Sequence, residues 1–196
     1  MRTAMKTTGG RRCAVFLDRD GVIIEEVHYL RYSDQLRLLP GAARAIARLR
    51  RAGLKVIVVS NQSAVARGYL TLEDLKGIHR DLIELLRSRG TKLDAIYFCP
   101  HHPQVGRKIK CRCRKPATGM LEAAARRFGL NLKSCYLVGD TTTDIRTARN
   151  AGCCGVLVKT GKGGRDGCYK AKAHVICRDL NAAATWILKA RNSRVV

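Results

Sequence analysis

The chain has 196 residues, 38 of them Lys or Arg against 15 Asp or Glu, a formal charge of +23. With apolar residues at 46%, a chain of this length can bury a core, which argues against disorder. No apolar run is long enough to span a bilayer, and the N-terminal MRTAMKTTGG lacks the apolar centre of a signal peptide, so a cytoplasmic protein is expected.

Short β-rich runs alternate with helical stretches. Residues 13–17 predict a strand. A helix is expected over 40–52, with Ala42, Ala45, Ile46 and Leu49 on one face and Gly53 after its end. Residues 54–59 read as a buried strand with β-branched side chains at 56 to 59. The next helix covers 71–89, capped by Thr71 with Asp74 three residues on. Its apolar stripe is Leu72, Leu75, Ile78, Leu82, Leu85 and Leu86. A strand at 94–98 leads into a loop at 99–115 rich in His, Cys and basic residues. Then come a helix at 117–128, a strand at 135–138, a helix at 142–151, strands at 155–159 and 174–177, and a helix from 180 to about 190. This alternation predicts an α/β fold: a doubly wound, mainly parallel sheet with helices on both faces. One domain over 12–190 is the economical expectation, with loose tails at 1–11 and 191–196.

A strongly basic chain can serve nucleic acid, a membrane surface or an anionic small substrate. Aromatics are only 5% of the residues, and the basic residues are spread along the chain. Few bases could stack, so a nucleic-acid partner is disfavoured and a solvated basic surface is expected. Of the nine cysteines, Cys13, Cys135, Cys153, Cys154 and Cys177 sit in or beside apolar runs and read as small buried hydrophobes.

Ligands of such sheets sit beyond the carboxyl ends of the strands. Four strands end in polar chemistry: Asp18-Arg-Asp20-Gly, Ser60-Asn-Gln-Ser63, Cys99-Pro-His-His and Gly139-Asp140-Thr-Thr-Thr-Asp144. Asp18, Asp20 and Asp140 can approach one point. Clustered carboxylates repel unless a hard dication joins them, and Mg²⁺ suits few carboxylates plus water and a substrate phosphate. One carboxylate can attack phosphorus while a second protonates the departing alkoxide. The Ser60 hydroxyl, the backbone amides of Asn61, Gln62 and Ser63, and Lys115 can hold the nonbridging oxygens. In the 99–115 loop, Cys99-x-His101 and Cys111-x-Cys113 form two ligand pairs suited to tetrahedral Zn²⁺, a closed and therefore structural site. His102 is the ambiguous neighbour. Arg67, Arg107 and Lys108 could assist a second phosphate, but a solvent-facing role is the expectation.

At these residues the chain resembles the haloacid dehalogenase-like phosphatases, whose signatures recur in order as Asp18-Arg-Asp-Gly-Val, Ser60, Lys115, and Gly139-Asp140 with Asp144. The resemblance covers residues 13 to 180 and implies a Rossmann-like fold. It also implies Asp18 as nucleophile and Asp20 as general acid/base. Mg²⁺ would lie on the Asp18 carboxylate, the Asp20 carbonyl and Asp140, with Asp144 supporting. The large cap of that family has no room here, so a minimal flap and an open site are expected. Cys-Pro-His-His-Pro followed by Cys-Arg-Cys-Arg-Lys-Pro narrows the resemblance to the D,D-heptose 1,7-bisphosphate and histidinol-phosphate phosphatases. In that subgroup the residues matching Arg114 and Lys115, Ser60 to Ser63, and the stretch with Glu26, His28 and Tyr29 bind substrate. The implied reaction is removal of the 7-phosphate of a heptose bisphosphate, on the route to the activated heptose of surface polysaccharides. The alternatives are histidinol-phosphate hydrolysis and, from a different class, nucleic-acid binding or a polynucleotide 3′-phosphatase. The expected partner is a small sugar phosphate, and the chain is expected to be a monomer.

Overall fold

In the computed structural model, residues 13–27, 29–105 and 111–193 are described. In chain order they form β1 (Ala14–Leu17), α1 (Ala42–Arg51), β2 (Lys55–Asn61), α2 (Leu72–Ser88), β3 (Ala95–Cys99) and α3 (Gly119–Phe128). β4 (Tyr136–Gly139), α4 (Thr142–Ala151), β5 (Cys154–Val158), β6 (Val175–Cys177) and α5 (Leu180–Asn192) follow. The six strands form one sheet in the order β3-β2-β1-β4-β5-β6, and every neighbouring pair is parallel. The order reverses direction at β1, so a crevice opens where β1, β2 and β4 end.

Alternation along the strands decides which helix covers which face. Val15, Leu17, Val56, Val58 and Val138 point to a core shared with α1, α2 and α5. Ala14, Phe16, Ile57, Val59 and Leu137 point the other way, onto α3 and Ala148 of α4. The apolar face foreseen for α1 is fully used: Ala42, Ala45, Ile46 and Leu49 are buried. Thr71 caps α2 as expected, its hydroxyl accepting from the Asp74 amide.

Some details differ from the sequence expectation. Leu72 is 46% exposed, like its neighbours Thr71, Glu73 and Asp74 in the first turn of α2; the buried stripe takes in His79 instead. Cys13 is half-buried, whereas Cys135, Cys153, Cys154 and Cys177 are buried. The helix expected from 117 begins at Gly119. Ala117 N–H donates to the Arg114 carbonyl and Gly119 N–H to that of Arg112, so these residues turn before the helix starts. The tail expected from 191 is shorter, since α5 runs to Asn192 and the Arg191 side chain donates to the Ala52 carbonyl. Residues 1–12, 28, 106–110 and 194–196 lie outside the described residues, and with them the whole N-terminal tail expected over 1–11, His28, Arg107 and Lys108.

The segment between β1 and α1 is a short flap, as its length requires. It folds back through bridges of Ile24 to Asp20 and to Leu38, and buries Val22, Ile23, Ile24, Leu30 and Leu36. Among the described residues no helix is long and apolar enough to cross a membrane.

Candidate active site

A cavity of about 510 Å³ lies at the crevice, walled by the ends of β1, β2 and β4, the flap, and the segments after β3 and β5. Ser60, Lys115 and Asp140 are buried in its floor, Asp18 is half-buried beside them, and exposed Glu26 stands on the flap wall.

Asp18 leaves β1 with its amide still donating to the Val138 carbonyl of β4, which fixes the two strand ends side by side. Carboxylate oxygens of Asp18, Asp140 and Asp144 all lie within 4.8 Å of one another. The Asp18 pKa is pushed up to about 7. Burial is the main cause, the carboxylates of Asp144, Asp140 and Asp20 add to it, and Lys115 opposes it. Asp140 is likewise pushed up to about 7, by burial first, against the N–H bond it accepts from the Lys162 backbone at 2.7 Å. Two glycines make the cluster possible. A Cβ on Gly21, whose φ is +74°, would lie 2.5 Å from Asp140 Oδ2, and one on Gly139 would lie 2.2 Å from Asp144 Cβ.

Lys115 is buried between two of these acids. Its ammonium is 3.0 Å from Asp18 Oδ1 and 2.6 Å from Asp144 Oδ1. Burial alone would depress the Lys115 pKa, but Asp144 and Asp18 outweigh it and raise it, so the cation is held charged. Asp144 serves twice, since its other oxygen accepts from the Thr141 backbone and hydroxyl and closes the N-terminus of α4.

Asp20 turns its carboxylate away from this trio, toward Arg19 (2.9 Å) and the Gln62 side-chain amide (2.9 Å). Arg19 is 1% exposed and also donates to Gln62 Oε1 at 2.9 Å, with His79 Nε2 at 3.3 Å. Arg19 and His79 were not legible as site residues. An arginine between two aspartates reads as solvated, and a helical His among leucines reads as ordinary core. Burial first, then the Arg19 cation, push the His79 pKa down to about 4. A depressed histidine pKa contributes stability that is complete above the unfolded value of 6.5 and is lost as pH falls through 6.5 toward about 4. Replacing His79 by Gln, neutral at every pH, is expected to remove roughly 3 kcal/mol of that acid sensitivity. Urea unfolding at pH 7 and pH 4 measures it, and parallel pH dependences for the two proteins would contradict the assignment.

The residues after β2 divide their work. Ser60 is buried, its hydroxyl accepting from Gln62 at 2.8 Å. Asn61 brackets the Lys115 backbone, accepting from its N–H at 3.0 Å and donating to its carbonyl at 3.1 Å. The Gln62 backbone N–H donates to the Cys99 carbonyl at 2.8 Å, which engages one of the three amides considered for phosphate. Ser63 lines the cavity wall.

After β3, one ligand atom each from Cys99, His101, Cys111 and Cys113 lies within 4.8 Å of every other. Cys99 Sγ is 3.6 Å from His101 Nδ1 and 3.7 Å from Cys111 Sγ, and Cys113 Sγ is 3.4 Å from His101 Nδ1. Ligands about 2.3 Å from a tetrahedral ion would stand ~3.8 Å apart. Cys113 Sγ and Cys99 Sγ are closer, at 3.0 Å, so the four groups converge on one point and a small outward shift of these two would seat such an ion. His102 stands outside the group: its Nε2 is 3.0 Å from Arg67 and its Nδ1 accepts from the Gln104 amide. Arg67 therefore does not simply face solvent, and its Nε is buried without a hydrogen-bond partner among the described residues. Arg114 ties the loop to the cavity, donating to the His101 carbonyl at 2.9 Å.

The model of the haloacid dehalogenase-like hydrolases matches residues 15–90, and an HAD-hydrolase-like model matches residues 112–183. The chain is 46% identical to the D-glycero-D-manno-heptose-1,7-bisphosphate 7-phosphatase of Thermosynechococcus vestitus, over 90% of this chain and 95% of that protein. It is 41% identical to the D-glycero-beta-D-manno-heptose-1,7-bisphosphate 7-phosphatase of Pseudomonas aeruginosa, over 91% of this chain and 99% of the other. A crystal structure of the D,D-heptose 1,7-bisphosphate phosphatase of Bordetella bronchiseptica, complexed with magnesium and phosphate, superposes with a TM-score of 0.80 at 36% identity. It covers 91% of this chain and 99% of that one.

Proposed function

We infer the activity from one premise: the chain belongs to the haloacid dehalogenase-like hydrolases, in the group of the D-glycero-D-manno-heptose-1,7-bisphosphate 7-phosphatases. It is a phosphatase that removes the 7-phosphate of D-glycero-D-manno-heptose 1,7-bisphosphate. The observation that carries the reading is the Asp18–Lys115–Asp140 constellation at the sheet's switch point. It unites a half-buried carboxylate nucleophile, a buried and fixed cation and a second carboxylate in a chain so similar to enzymes of that name.

Three crowded carboxylates, two of them with pKa values raised to about 7, fit a hard dication. Magnesium would be held by the Asp18 and Asp140 carboxylates and the Asp20 carbonyl, and when bound it supplies positive charge to nucleophile and phosphate alike. Asp18 attacks phosphorus, forming an aspartyl phosphate as the sugar oxygen leaves. Asp20 gives that oxygen its proton and then takes one from the water that attacks the aspartyl phosphate, releasing inorganic phosphate and restoring Asp18. The buried Ser60 hydroxyl and the Lys115 ammonium hold the nonbridging oxygens as charge shifts between them. Gln62 and Arg19 aim Asp20, and Asn61 fixes the backbone of Lys115. Glu26, Tyr29, Ser63 and Arg114 face the sugar. A histidinol phosphate would bring a cationic amine to a mouth that already carries Arg114 and Lys162, which favours the bisphosphate.

Zinc on Cys99, His101, Cys111 and Cys113 is structural in this reading. It fixes the segment that delivers Arg114 and Lys115, and the enzyme acts as a cytoplasmic monomer. Cys111→Ser is expected to lower bound zinc from one ion per chain to a small fraction and to raise protease sensitivity between 99 and 115. Elemental analysis of the purified protein tests this, and an unchanged zinc stoichiometry would refute the ligand set. Phosphate release from the heptose bisphosphate and from histidinol phosphate, side by side with Mg²⁺, tests the activity itself.

A further inference from the structure

The segment after β5 reads Thr160-Gly-Lys-Gly-Gly-Arg-Asp166, and Gly161, Gly163 and Gly164 all adopt positive φ. Its turns lay it directly against the catalytic loop. Thr160 Oγ1 donates to the Gly21 carbonyl at 2.7 Å, and Gly164 N–H to the Asp140 carbonyl at 2.7 Å. A Cβ on Gly161 would stand 2.7 Å from Gly21 Cα. Asp166 straps the far end to α4 by accepting from the Thr142 backbone and hydroxyl. Residue 162 is thus pinned by its own backbone N–H, bonded to Asp140, while its side chain projects to the exposed rim of the cavity.

Four cations line the cavity: Arg19, Arg114, Lys115 and Lys162. Arg19 is buried on Asp20 and Gln62, Lys115 on Asp18 and Asp144, and Arg114 donates to the His101 carbonyl. Among the described residues, no hydrogen bond or ion pair engages the Lys162 ammonium. Its electrostatic counterpart is Glu26 on the opposing flap, on which it acts more strongly than Arg19 does. A sugar bisphosphate brings a second dianion about the length of the sugar away from Asp18, toward this rim. A flexible four-carbon stem ending in an unengaged cation suits that dianion, and it offsets the repulsion from Glu26.

We propose that Lys162, carried on the glycine-rich segment after β5, binds the phosphate that is not cleaved and so selects bisphosphates over monophosphates. This deepens the reading of the site as a heptose bisphosphatase and rests on it. Lys162 touches no reacting atom in this assignment, and its hold on Asp140 is a backbone bond that any side chain preserves.

The experiment compares wild type, Lys162→Ala and Lys162→Arg on D-glycero-D-manno-heptose 1,7-bisphosphate and on the 7-monophosphate. Lys162→Ala is expected to lower the bisphosphate-to-monophosphate ratio of kcat/KM about tenfold, through KM for the bisphosphate, with Lys162→Arg recovering most of it. An unchanged ratio, or equal losses on both esters, would overturn the inference while leaving the functional reading intact. A wild type inert on the bisphosphate would instead overturn that reading, and the inference with it.

Discussion

Asp18→Asn is expected to abolish phosphate release, by more than about ten-thousandfold in kcat, while the protein stays folded. An amide cannot form the acyl phosphate, and no neighbouring carboxylate can take over. Asp140 is tied to the Lys162 backbone, Asp144 to Lys115 and the α4 cap, and Asp20 to Arg19 and Gln62. The fold has reason to survive. Asn offers a side-chain oxygen to the Arg19 N–H that Asp18 now accepts at 2.8 Å, and Lys115 keeps Asp144. Removing a half-buried acid whose pKa is raised to about 7 also relieves repulsion within the trio. Unchanged circular dichroism with no turnover is therefore the expected pair of results. A variant with normal turnover would remove Asp18 from the nucleophile's role.

Lys115→Met is expected to cost about a thousandfold in kcat and, unlike the first variant, several kcal/mol of stability. The ammonium is fully buried and contacts both Asp18 and Asp144. Without it, two acids, Asp144 buried and Asp18 half-buried, remain side by side with no cation between them. Breaking a buried pair in this way typically costs ~3–5 kcal/mol. Lys115 also lowers the Asp18 pKa, so its loss pushes that carboxyl further up and leaves it protonated at neutral pH. Stability of this variant should consequently rise as pH falls from 8 to 6, as the unpaired acids take up protons. Thermal melts across that range, with kcat at saturating substrate, separate the two effects. A variant as stable and as active as wild type would mean that the buried pairing carries neither role.

The fold was legible because each element announced itself locally. Val56 to Val59 could only be a buried strand, and Thr71 with Asp74 marked a helix start that the structure reproduces hydrogen bond for hydrogen bond. The rule that ligands gather at strand ends then brought Asp18, Ser60 and Asp140 to one crevice, whereas Lys115, far beyond the end of β3, was reached through its phosphate-holding chemistry and the family resemblance. Illegible features depended on contacts between segments distant in sequence. Arg19 is buried because Gln62 and His79, 43 and 60 positions away, meet it. Asn61 serves the backbone of Lys115, 54 positions on, which no local pattern reveals. The segment after β5 could have been found, since it too follows a strand and carries three glycines in five residues. Its glycines alone say only that the chain turns; the close approach of Gly161 to Gly21 and Asp140 is what places the segment at the site.

The net charge of +23 is the one global property that the catalytic cavity does not use, since its lining holds four cations against five acids. It makes the choice of test substrates pointed. The most direct measurement is kcat/KM for phosphate release with Mg²⁺ across both anomers of the heptose 1,7-bisphosphate, histidinol phosphate, fructose 1,6-bisphosphate and a 3′-phosphorylated oligonucleotide. One heptose anomer is expected to lead every non-heptose ester by about a hundredfold, some 2.7 kcal/mol of transition-state discrimination. An oligonucleotide in first place would make the basic surface the substrate site, and a lead for histidinol phosphate would contradict the bisphosphate assignment.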